Sequence, residues 1–394
     1  MKSLSQSPTD DAFVQNPYPF YEKARALAGP LFYWEEYGLP CAVDYHTVWT
    51  ILRDRHMGRE PPPGQAPKKP PHQAGFWAVE DHSLLELEPP RHTRLRGLIL
   101  RAFTSRRISE LEPEIAQLAH DLIDRIDGPT FDLLSVFAQH LPVIIIARLL
   151  GVPEERADDL LAWSHDMVGM YQAGRSHASE VAAAKAAHEF ADFMRDFVAF
   201  RRERPADDLI THLISAEQDG ERLTTDELIS TCILLRNAGH EATVHTCGNG
   251  ILAMLRAGTP PDALGPGRID QTVEEMIRYD APLHMFQRWA FEDVQIGDHL
   301  VRSGEKVACL LAAANRDPAR WQDPDVFEPA RAIQTNASFG AGAHFCIVAP
   351  LARLELRTAL PILLERLPNL RLADAPRYAP KYHFHGLETL MVTR

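Results

Sequence analysis

The sequence predicts a mainly α-helical protein with small β-sheets. Helical periodicity recurs through most of the chain and includes one run of about 33 residues, whereas strand patterns are few and lie late. Neither a linker nor a repeat of fixed period divides the 394 residues. We therefore expect one large domain, residues 1–394, with a substantial core.

The first half of the chain shows one loop and then a series of helical patterns. A proline-rich segment at about residues 61–71 disfavours helix and strand alike and predicts an extended loop. Helices are predicted over Glu112–Asp127, Val136–Leu150 and Val181–Arg204. The first two end before Gly128-Pro129 and at Gly151, which are typical helix stops.

The longest helical pattern runs over about residues 224–256. Thr224 and Glu227 form a capping box at its start, and the helix would be about 50 Å long at 1.5 Å per residue. Only a large helical protein has room for such an element. Strands are predicted later in the chain, at Val294–Ile296, Lys306–Leu311 and Leu387–Val392.

Composition excludes several classes of protein. The net charge of −13 argues against general nucleic-acid binding, which needs a basic surface. No stretch of about 18 uncharged apolar residues predicts a membrane span. The first residues lack the apolar core of a signal peptide. The five cysteines form no paired framework, so a reduced, cytoplasmic location is expected.

Cys346 is the most informative residue of the chain. It ends the segment Phe339–Cys346, whose glycines allow close backbone approach, and an apolar helical stretch follows at once. The N–H groups and positive dipole end of a helix start favour a thiolate. Such a thiolate can bind iron, although a lone cysteine is more often an inert buried thiol.

The segment resembles the haem-binding loop of the cytochromes P450, Phe-x-x-Gly-x-x-x-Cys-x-Gly. Phe339, Gly342 and Cys346 match it, whereas Val348 stands in place of the last glycine. The resemblance extends over nearly the whole chain. It implies the cytochrome P450 fold, a single triangular domain with the long helix over haem b, and Cys346 as the axial ligand of the haem iron.

The long helix contains a second family motif. Ala238, Gly239 and Glu241 match the oxygen-binding groove, in which Ala238 and Gly239 would let a flat group approach the backbone. A helix-packing contact explains the small residues equally well. Ala242 replaces the usual threonine, and Thr243 comes one residue late, which is 100° around the helix. Glu241, Ala242 and Thr243 are the candidate catalytic positions.

Two further sets of residues match family positions that are distant in sequence. Glu275, Arg278 and Arg331 match a buried structural triad behind the haem. Basic residues match contacts to the haem propionates, and cationic donors are what two carboxylates need. These are His92, Arg96, Arg288 and His344.

A basic run on the His92–Arg96 helix stands out in this acidic chain. In the family this helix lies on the thiolate side, where an acidic ferredoxin docks, and complementary charge would speed that encounter. An ordinary solvated helix face is the alternative. The run consists of Arg91, Arg94, Arg101, Arg106 and Arg107.

The resemblance also implies an apolar substrate pocket assembled from separate segments. Its candidate residues are Phe76, Trp77, Leu235, Ala238, Met285, Phe286 and Leu387. The nearby His383 and His385 alternate as in a strand, which places both on one side. Because the sequence shows no third ligand beside them, no metal site is expected there.

The implied reaction is monooxygenation of a small apolar organic substrate. Electrons would come from NAD(P)H through a ferredoxin reductase and a ferredoxin. Ala242 leaves open a peroxide-driven peroxygenase, and Ala242 with Val348 leaves open a haem-ligand binding or sensor protein without turnover. Because a methyl group cannot donate a hydrogen bond, we expect the substrate to bear a hydroxyl near its reacting carbon.

Overall fold

Helices dominate the structure, a computed structural model that describes residues 1–172, 174–218 and 220–394. The α-helices are α1 Asp11–Gln15, α2 Tyr18–Ala28, α3 Tyr45–Arg53, α4 Ala74–Glu80, α5 Arg91–Ala102, α6 Ser105–Ser109, α7 Glu112–Asp124, α8 His140–Leu150, α9 Ala157–Val168, α10 His177–Glu203, α11 Leu209–Ser215, α12 Thr225–Ala257, α13 Ile269–Tyr279, α14 Leu311–Ala314 and α15 Ala349–Arg366. The β-strands are β1 Ser3–Leu4, β2 Leu31–Trp34, β3 Leu39–Ala42, β4 Met57–Gly58, β5 Thr130–Asp132, β6 Glu217–Gln218, β7 Glu221–Arg222, β8 Met285–Ala290, β9 Val294–Ile296, β10 His299–Val301, β11 Lys306–Leu310, β12 Arg371–Leu372 and β13 Met391–Thr393. The predicted fold class, mainly α with small sheets, is confirmed.

Helix α12 begins with the predicted capping box. The Thr224 hydroxyl accepts a hydrogen bond from the Glu227 N–H (3.2 Å), and the Glu227 carboxylate accepts one from the Thr224 N–H (2.9 Å). The helix ends at Gly258, whose φ of 59° is left-handed. Its 33 residues span about 50 Å. It packs against α8, α9, α10 and α13, so it is the element around which the other helices are arranged.

Two other helices start at different residues from those predicted. A π-helical turn covers Leu134–Ala138, and α8 begins only at His140. Pro142 is the third residue of α8, and a proline is tolerated only within the first turn of a helix. Helix α10 begins four residues before the predicted Val181, because the Ser176 hydroxyl accepts a hydrogen bond from the Ser179 N–H (3.1 Å) and caps it.

The main sheet has six strands in the order β1-β2-β3-β11-β8-β4. Strands β8 and β11 are antiparallel, and their register places Phe286 opposite Cys309 and Arg288 opposite Val307. Because side chains alternate along a strand, Phe286 and Arg288 project from the same face. This strand therefore places one candidate pocket residue and one candidate propionate ligand side by side.

The predicted strands differ from the observed ones at their ends. Strand β9 has the predicted bounds, and β11 ends one residue early because α14 begins at Leu311. Strand β13 begins at Met391 rather than Leu387, and Leu387 instead forms an isolated bridge with Tyr378. Residues 61–70 lie outside helices and strands, as predicted for the proline-rich loop.

Within the described parts of the chain, every helix is either too short or too polar to cross a membrane.

Candidate functional site

The loop Phe339–Cys346 holds the cysteine in a fixed position. Gly340 and Gly342 have positive φ angles of 67° and 69°. A Cβ atom at Gly342 would meet the Leu52 carbonyl oxygen at 2.6 Å, so the loop lies directly against that backbone. The Cys346 N–H donates to the Phe339 carbonyl at 3.0 Å and closes the loop.

Opposing influences act on the Cys346 thiol. Burial raises its pKa, whereas hydrogen bonds from the Val348 and Ala349 N–H groups and the positive charges of Arg96 and Arg353 act to lower it. The sequence predicts that helix-start N–H groups favour a thiolate, and these two N–H groups do act in that direction, although burial outweighs them.

Cys346 also differs from the other cysteines in accessibility. All five cysteines are described and unpaired, and Cys41, Cys232, Cys247 and Cys309 are buried. Cys346 keeps accessible surface although desolvation is the main influence on its thiol. Cys346 is thus less enclosed than the other four cysteines.

Helix α12 has an accessible position in its middle. Ala238 is exposed in the middle of the helix, although Leu235, Arg236 and Gly239 around it are buried. A Cβ atom at Gly239 would approach Ile146 of α8 at 3.5 Å, so Gly239 also serves helix packing. The exposed methyl of Ala238 leaves room for a flat group against the helix.

Glu241 lies between two histidines. Its Oε2 is 3.3 Å from His245 Nε2, one turn along α12, and its Oε1 is 3.6 Å from His165 Nδ1 on α9. Burial alone would raise the pKa of Glu241, but the hydrogen bonds to His165 and His245 outweigh it and hold the pKa well below its usual range. Glu241 is therefore anionic at neutral pH.

The two residues that follow Glu241 in the chain offer no free hydroxyl. Ala242 is half-buried and has only a methyl group. The Thr243 hydroxyl is buried and donates to the Gly239 carbonyl of its own helix at 3.1 Å. This geometry agrees with the inference that Thr243 does not replace the missing threonine.

The four predicted propionate ligands come together near Cys346. The rings of His92 and His344 are 4.4 Å apart, and the Arg96 guanidinium donates to the Phe345 carbonyl at 2.8 Å. Arg288 is 3% exposed and donates to the Gln287 carbonyl at 3.0 Å. The set combines residues of α5, β8 and the cysteine loop.

This basic cluster contains more positive charge than the surrounding protein balances. Glu88 pairs with His344 at 2.9 Å, but no described carboxylate lies within ion-pair distance of Arg96 or Arg288. Burial lowers the pKa of His92 to about 4 and that of Arg288 to about 10. Buried His92 Nε2 has no hydrogen-bond partner among the described residues. The cluster thus fits a dianionic group, as the two propionates of a haem would be.

The predicted structural triad is formed. Arg278 donates from Nε and Nη2 to the two oxygens of Glu275, each at 2.7 Å. Arg331 Nε lies 3.1 Å from the same carboxylate, and the Glu328 N–H donates to it at 2.9 Å. The two guanidiniums thus share one carboxylate, and their other N–H groups donate to backbone carbonyls.

Most of the candidate pocket residues are buried. The ring of Phe76 lies 6.3 Å from that of Tyr171, and Met285 and Leu387 are buried. Trp77 differs from these residues because it is half-buried and has polar neighbours. Its indole N–H donates to Gln73, and the Lys69 ammonium lies over its ring.

A polar group beside Phe76 and Phe286 was not predicted. Tyr171 donates to Glu80 Oε2 at 3.0 Å, Arg59 pairs with Glu86, and the Arg59 guanidinium lies 5.7 Å from the Phe286 ring centre. These residues are far apart in sequence and form no local pattern, so the sequence offers no signal for the group. His245 was detectable, since it lies four residues after Glu241, but His165 was not.

His383 and His385 were expected on one side of a strand, and this expectation was wrong. The ring of His383 packs against Tyr37 and Tyr382, whereas His385 lies with Asp280 and His284 in a buried group. The two histidines thus do not act together, because the segment forms only isolated bridges rather than a strand. The missing partners of His385 are supplied by a distant segment.

The basic run is largely paired within the chain. Arg94 pairs with Glu221 and Glu227. The other ion pairs are Arg91–Glu60, Arg106–Glu110 and Arg107–Asp207. Arg101 is exposed and has no ion pair with a described residue. The surface is therefore less positive than the sequence suggests.

Comparisons with known proteins agree with this geometry. The family model for cytochrome P450 matches residues 269–374. The chain is 38% identical over 360 residues to cytochrome P450 107B1 of Saccharopolyspora erythraea, covering 89% of this chain and 84% of the relative. It is 35% identical to the biotin biosynthesis cytochrome P450 of Bacillus subtilis, covering 99% of each.

Solved structures match the fold over nearly its full length. P450BioI in complex with an acyl carrier protein ligated to hexadec-9Z-enoic acid has a TM-score of 0.91 at 34% identity, covering 98% of this chain and 100% of that one. The polyketide synthase cytochrome P450 PksS of Bacillus subtilis has a TM-score of 0.89 at 32% identity, covering 98% and 99%. The chain therefore belongs to the cytochrome P450 family, whose members are monooxygenases that bind haem b.

Proposed function

We propose that this protein inserts one oxygen atom from O2 into a small apolar organic substrate, with electrons from NAD(P)H delivered through a ferredoxin reductase and a ferredoxin. The observation that supports this best is the cysteine loop with the basic side chains beside it. Cys346 keeps accessible surface, Arg96 donates to the Phe345 carbonyl, and the rings of His92 and His344 are 4.4 Å apart. Ala238 is exposed in the middle of α12.

The residues for haem binding follow from their chemistry. Cys346 would be the axial ligand, and His92, Arg96, Arg288 and His344 would pair with the propionates. Ala238 and Gly239 would let the flat ring approach α12, and Phe339 lies at the start of the cysteine loop. When bound, the haem activates dioxygen, and its thiolate ligand supplies electron density that favours O–O cleavage.

Glu241 is suited to accept hydrogen bonds beside the site, because its carboxylate is held anionic. His165 is exposed, and its Nδ1 faces Glu241 Oε1 at 3.6 Å. His245 faces the other oxygen. The two histidines thus hold the carboxylate next to Ala242, where it can orient an ordered water or a substrate hydroxyl.

The substrate is proposed to bear an oxygen near its reacting carbon. Neither Ala242 nor Thr243 offers a free hydroxyl next to Glu241, so a substrate hydroxyl or an ordered water must supply the hydrogen bond there. The rest of the substrate would lie against apolar side chains, namely Leu235, Met285, Phe286 and Leu387.

An acidic ferredoxin is proposed to dock beside α5. This helix adjoins the cysteine loop through the hydrogen bond from Arg96 to the Phe345 carbonyl. Arg101, near its end, is exposed and unpaired among the described residues. Because most neighbouring arginines are already paired, Arg101 would contribute most to the attraction.

A peroxide-driven reaction is the second candidate. The absence of a free hydroxyl at Ala242 and Thr243 supports it, because a reaction that starts from peroxide needs no delivery of electrons from a partner. Purified enzyme supplied with ferredoxin, its reductase and NADPH is compared with enzyme supplied with peroxide. Product formed only with peroxide would contradict the ferredoxin-dependent reaction.

A ligand screen followed by haem absorption spectra identifies the substrate class. Because the P450BioI structure contains a fatty acid on its carrier protein, the library includes fatty acids beside hydroxylated and plain hydrocarbons. Ligands that bind in the proposed pocket should shift the spin state of the haem iron. Ligand preference that is unchanged by substitutions at Leu235, Met285 and Phe286 would contradict the pocket assignment.

A further inference from the structure

A second cluster of potential ligand atoms lies away from Cys346. Asp280 directly follows α13, and His284 directly precedes β8. His385 belongs to the C-terminal segment. Each offers one ligand atom, and the three atoms lie within 4.8 Å of one another. Their side chains are 5%, 0% and 3% exposed, so the cluster is buried.

The imidazole of His284 has an unused nitrogen. Its Nδ1 lies 2.7 Å from the Tyr21 hydroxyl, and that hydroxyl donates its own hydrogen to Tyr382 at 2.9 Å. With the hydrogen on Nδ1, that nitrogen donates to Tyr21 and Nε2 keeps a lone pair, although the Ala281 carbonyl favours the protonated ring. Nε2 is buried and has no hydrogen-bond partner among the described residues. An unsatisfied buried acceptor of this kind is costly unless something binds it.

The other two side chains are held in place by neighbouring groups. Asp280 accepts hydrogen bonds from Tyr18 (2.7 Å) and Tyr378 (2.5 Å). The ring of Tyr378 stacks on His385 at 3.9 Å, and His385 Nε2 lies 3.5 Å from Asp280 Oδ1. Hydrogen bonds from outer residues that orient carboxylate and imidazole ligands are typical of metal sites.

A cavity gives access to this cluster. It has a volume of about 580 Å³, and Asp280 and His385 lie on its wall. Arg25, Arg256 and Arg316 also line it, and their charges disfavour a cation. Arg25 pairs with Asp317 at 3.8 Å and Arg316 with Asp325 at 2.8 Å. The cavity supplies an entry path and space for a water molecule.

We propose that Asp280, His284 and His385 bind a divalent transition metal ion, with zinc as the best fit. Two imidazoles and one carboxylate form a ligand set that suits zinc, and water from the cavity would take the fourth position. Tetrahedral ligands about 2.0–2.1 Å from zinc lie roughly 3.3 Å apart, so the three atoms must close by on the order of 1 Å. Hard ions such as Mg²⁺ prefer more oxygen ligands than the site offers.

The site would join two separate segments of the fold, the connection of residues 280–284 between α13 and β8 and the C-terminal segment with His385. His284 is adjacent to Met285 and Phe286 of β8, and His385 is two residues before Leu387. A bound ion would therefore hold the C-terminal segment against the strand that borders the proposed pocket. This inference does not depend on the proposed reaction.

The zinc content of the haem-containing protein tests the proposal. Protein stripped with a chelator is dialysed against ZnCl2, and the ratio of zinc to haem iron is measured by mass spectrometry, with the affinity from competition against a chromophoric chelator. We expect one zinc per haem, at least tenfold weaker binding in His284→Gln, and no change in His383→Gln, the matched control on the C-terminal segment.

Further readouts keep the test decisive if His284→Gln loses haem. His385→Gln then takes its place, and zinc X-ray absorption of the wild type should show nitrogen and oxygen ligands at about 2.0–2.2 Å. Absence of zinc from the wild type, sulfur ligation, or zinc that remains equally tight in both variants, as for adventitious surface binding, would overturn the proposal.

Discussion

At the scale of single residues, Arg288 shows how a buried charge indicates its partner. It is 3% exposed, and its own neighbours include no described carboxylate within ion-pair distance. Charged hydrogen bonds contribute about 1.5–3 kcal/mol, so we expect Arg288→Ala to weaken haem binding by about tenfold to 150-fold. Haem transfer to an apoprotein acceptor measures this. Arg101→Ala is the control, and equal transfer rates for the two variants would contradict the assignment.

Ala242 determines how the enzyme should respond to substrate hydroxyls. With no hydroxyl at this position, reduced oxygen escapes as peroxide unless the substrate or a water supplies the hydrogen bond. We expect the fraction of NADH that yields product to be several-fold higher for a hydroxylated substrate than for its plain hydrocarbon analogue. Ala242→Thr should reduce that difference. Equal, efficient coupling for both substrates in the unmodified enzyme would rule out substrate assistance.

Glu80 should make stability depend on pH. Burial raises its pKa from 4.5 to about 8, and Glu86 acts in the same direction. The folded protein therefore binds this proton more tightly than the unfolded chain. The resulting stabilisation is complete below about pH 4.5 and is lost as the pH rises through about 8.

We therefore expect the free energy of unfolding of the wild type to fall relative to Glu80→Gln by a few kcal/mol across this range. Urea unfolding at several pH values measures the difference. Glu355, whose pKa burial also raises to about 8, is present in both proteins, so its contribution cancels. A difference between the two proteins that stays constant with pH would show that Glu80 does not hold the proton.

At the scale of elements, Glu275 links α13 to the segment that precedes the cysteine loop. Its carboxylate binds Arg278, Arg331 and the Glu328 N–H. Removing the carboxylate that Arg278 and Arg331 share leaves both buried guanidiniums uncompensated, at a cost of about 3–5 kcal/mol. We expect Glu275→Gln to lower the free energy of unfolding by that amount. The exposed Glu110→Gln, which breaks a surface pair with Arg106, should cost under about 1 kcal/mol.

The elements also show what sequence patterns can predict. The long helix was predictable because Thr224 and Glu227 are close in sequence and their capping interaction is local. The start of α8 was not, because a π-helical turn precedes it and no sequence pattern marks such a turn. The late start of β13 depends on pairing with β5 and β12, which are far away in the chain.

At the scale of the whole molecule, the site was predictable where a motif marks it. The cysteine loop and the basic cluster adjoin through the hydrogen bond from Arg96 to the Phe345 carbonyl, and the α12 groove remains a prediction of the family resemblance. The groups that the sequence missed are assembled from distant segments without a motif. The Glu80–Tyr171 pair and the contact of His385 with Asp280 and His284 exist only because the fold brings those segments together.

The central claim is that Cys346 binds the haem iron in this fold. The absorption spectrum of the reduced, CO-bound protein tests it most directly, because thiolate ligation produces the long-wavelength Soret band after which the family is named. We expect the wild type and Cys247→Ala, a control that removes a buried thiol, to show the band, and Cys346→Ala to lose it. A Cys346→Ala variant that keeps the band would contradict the account.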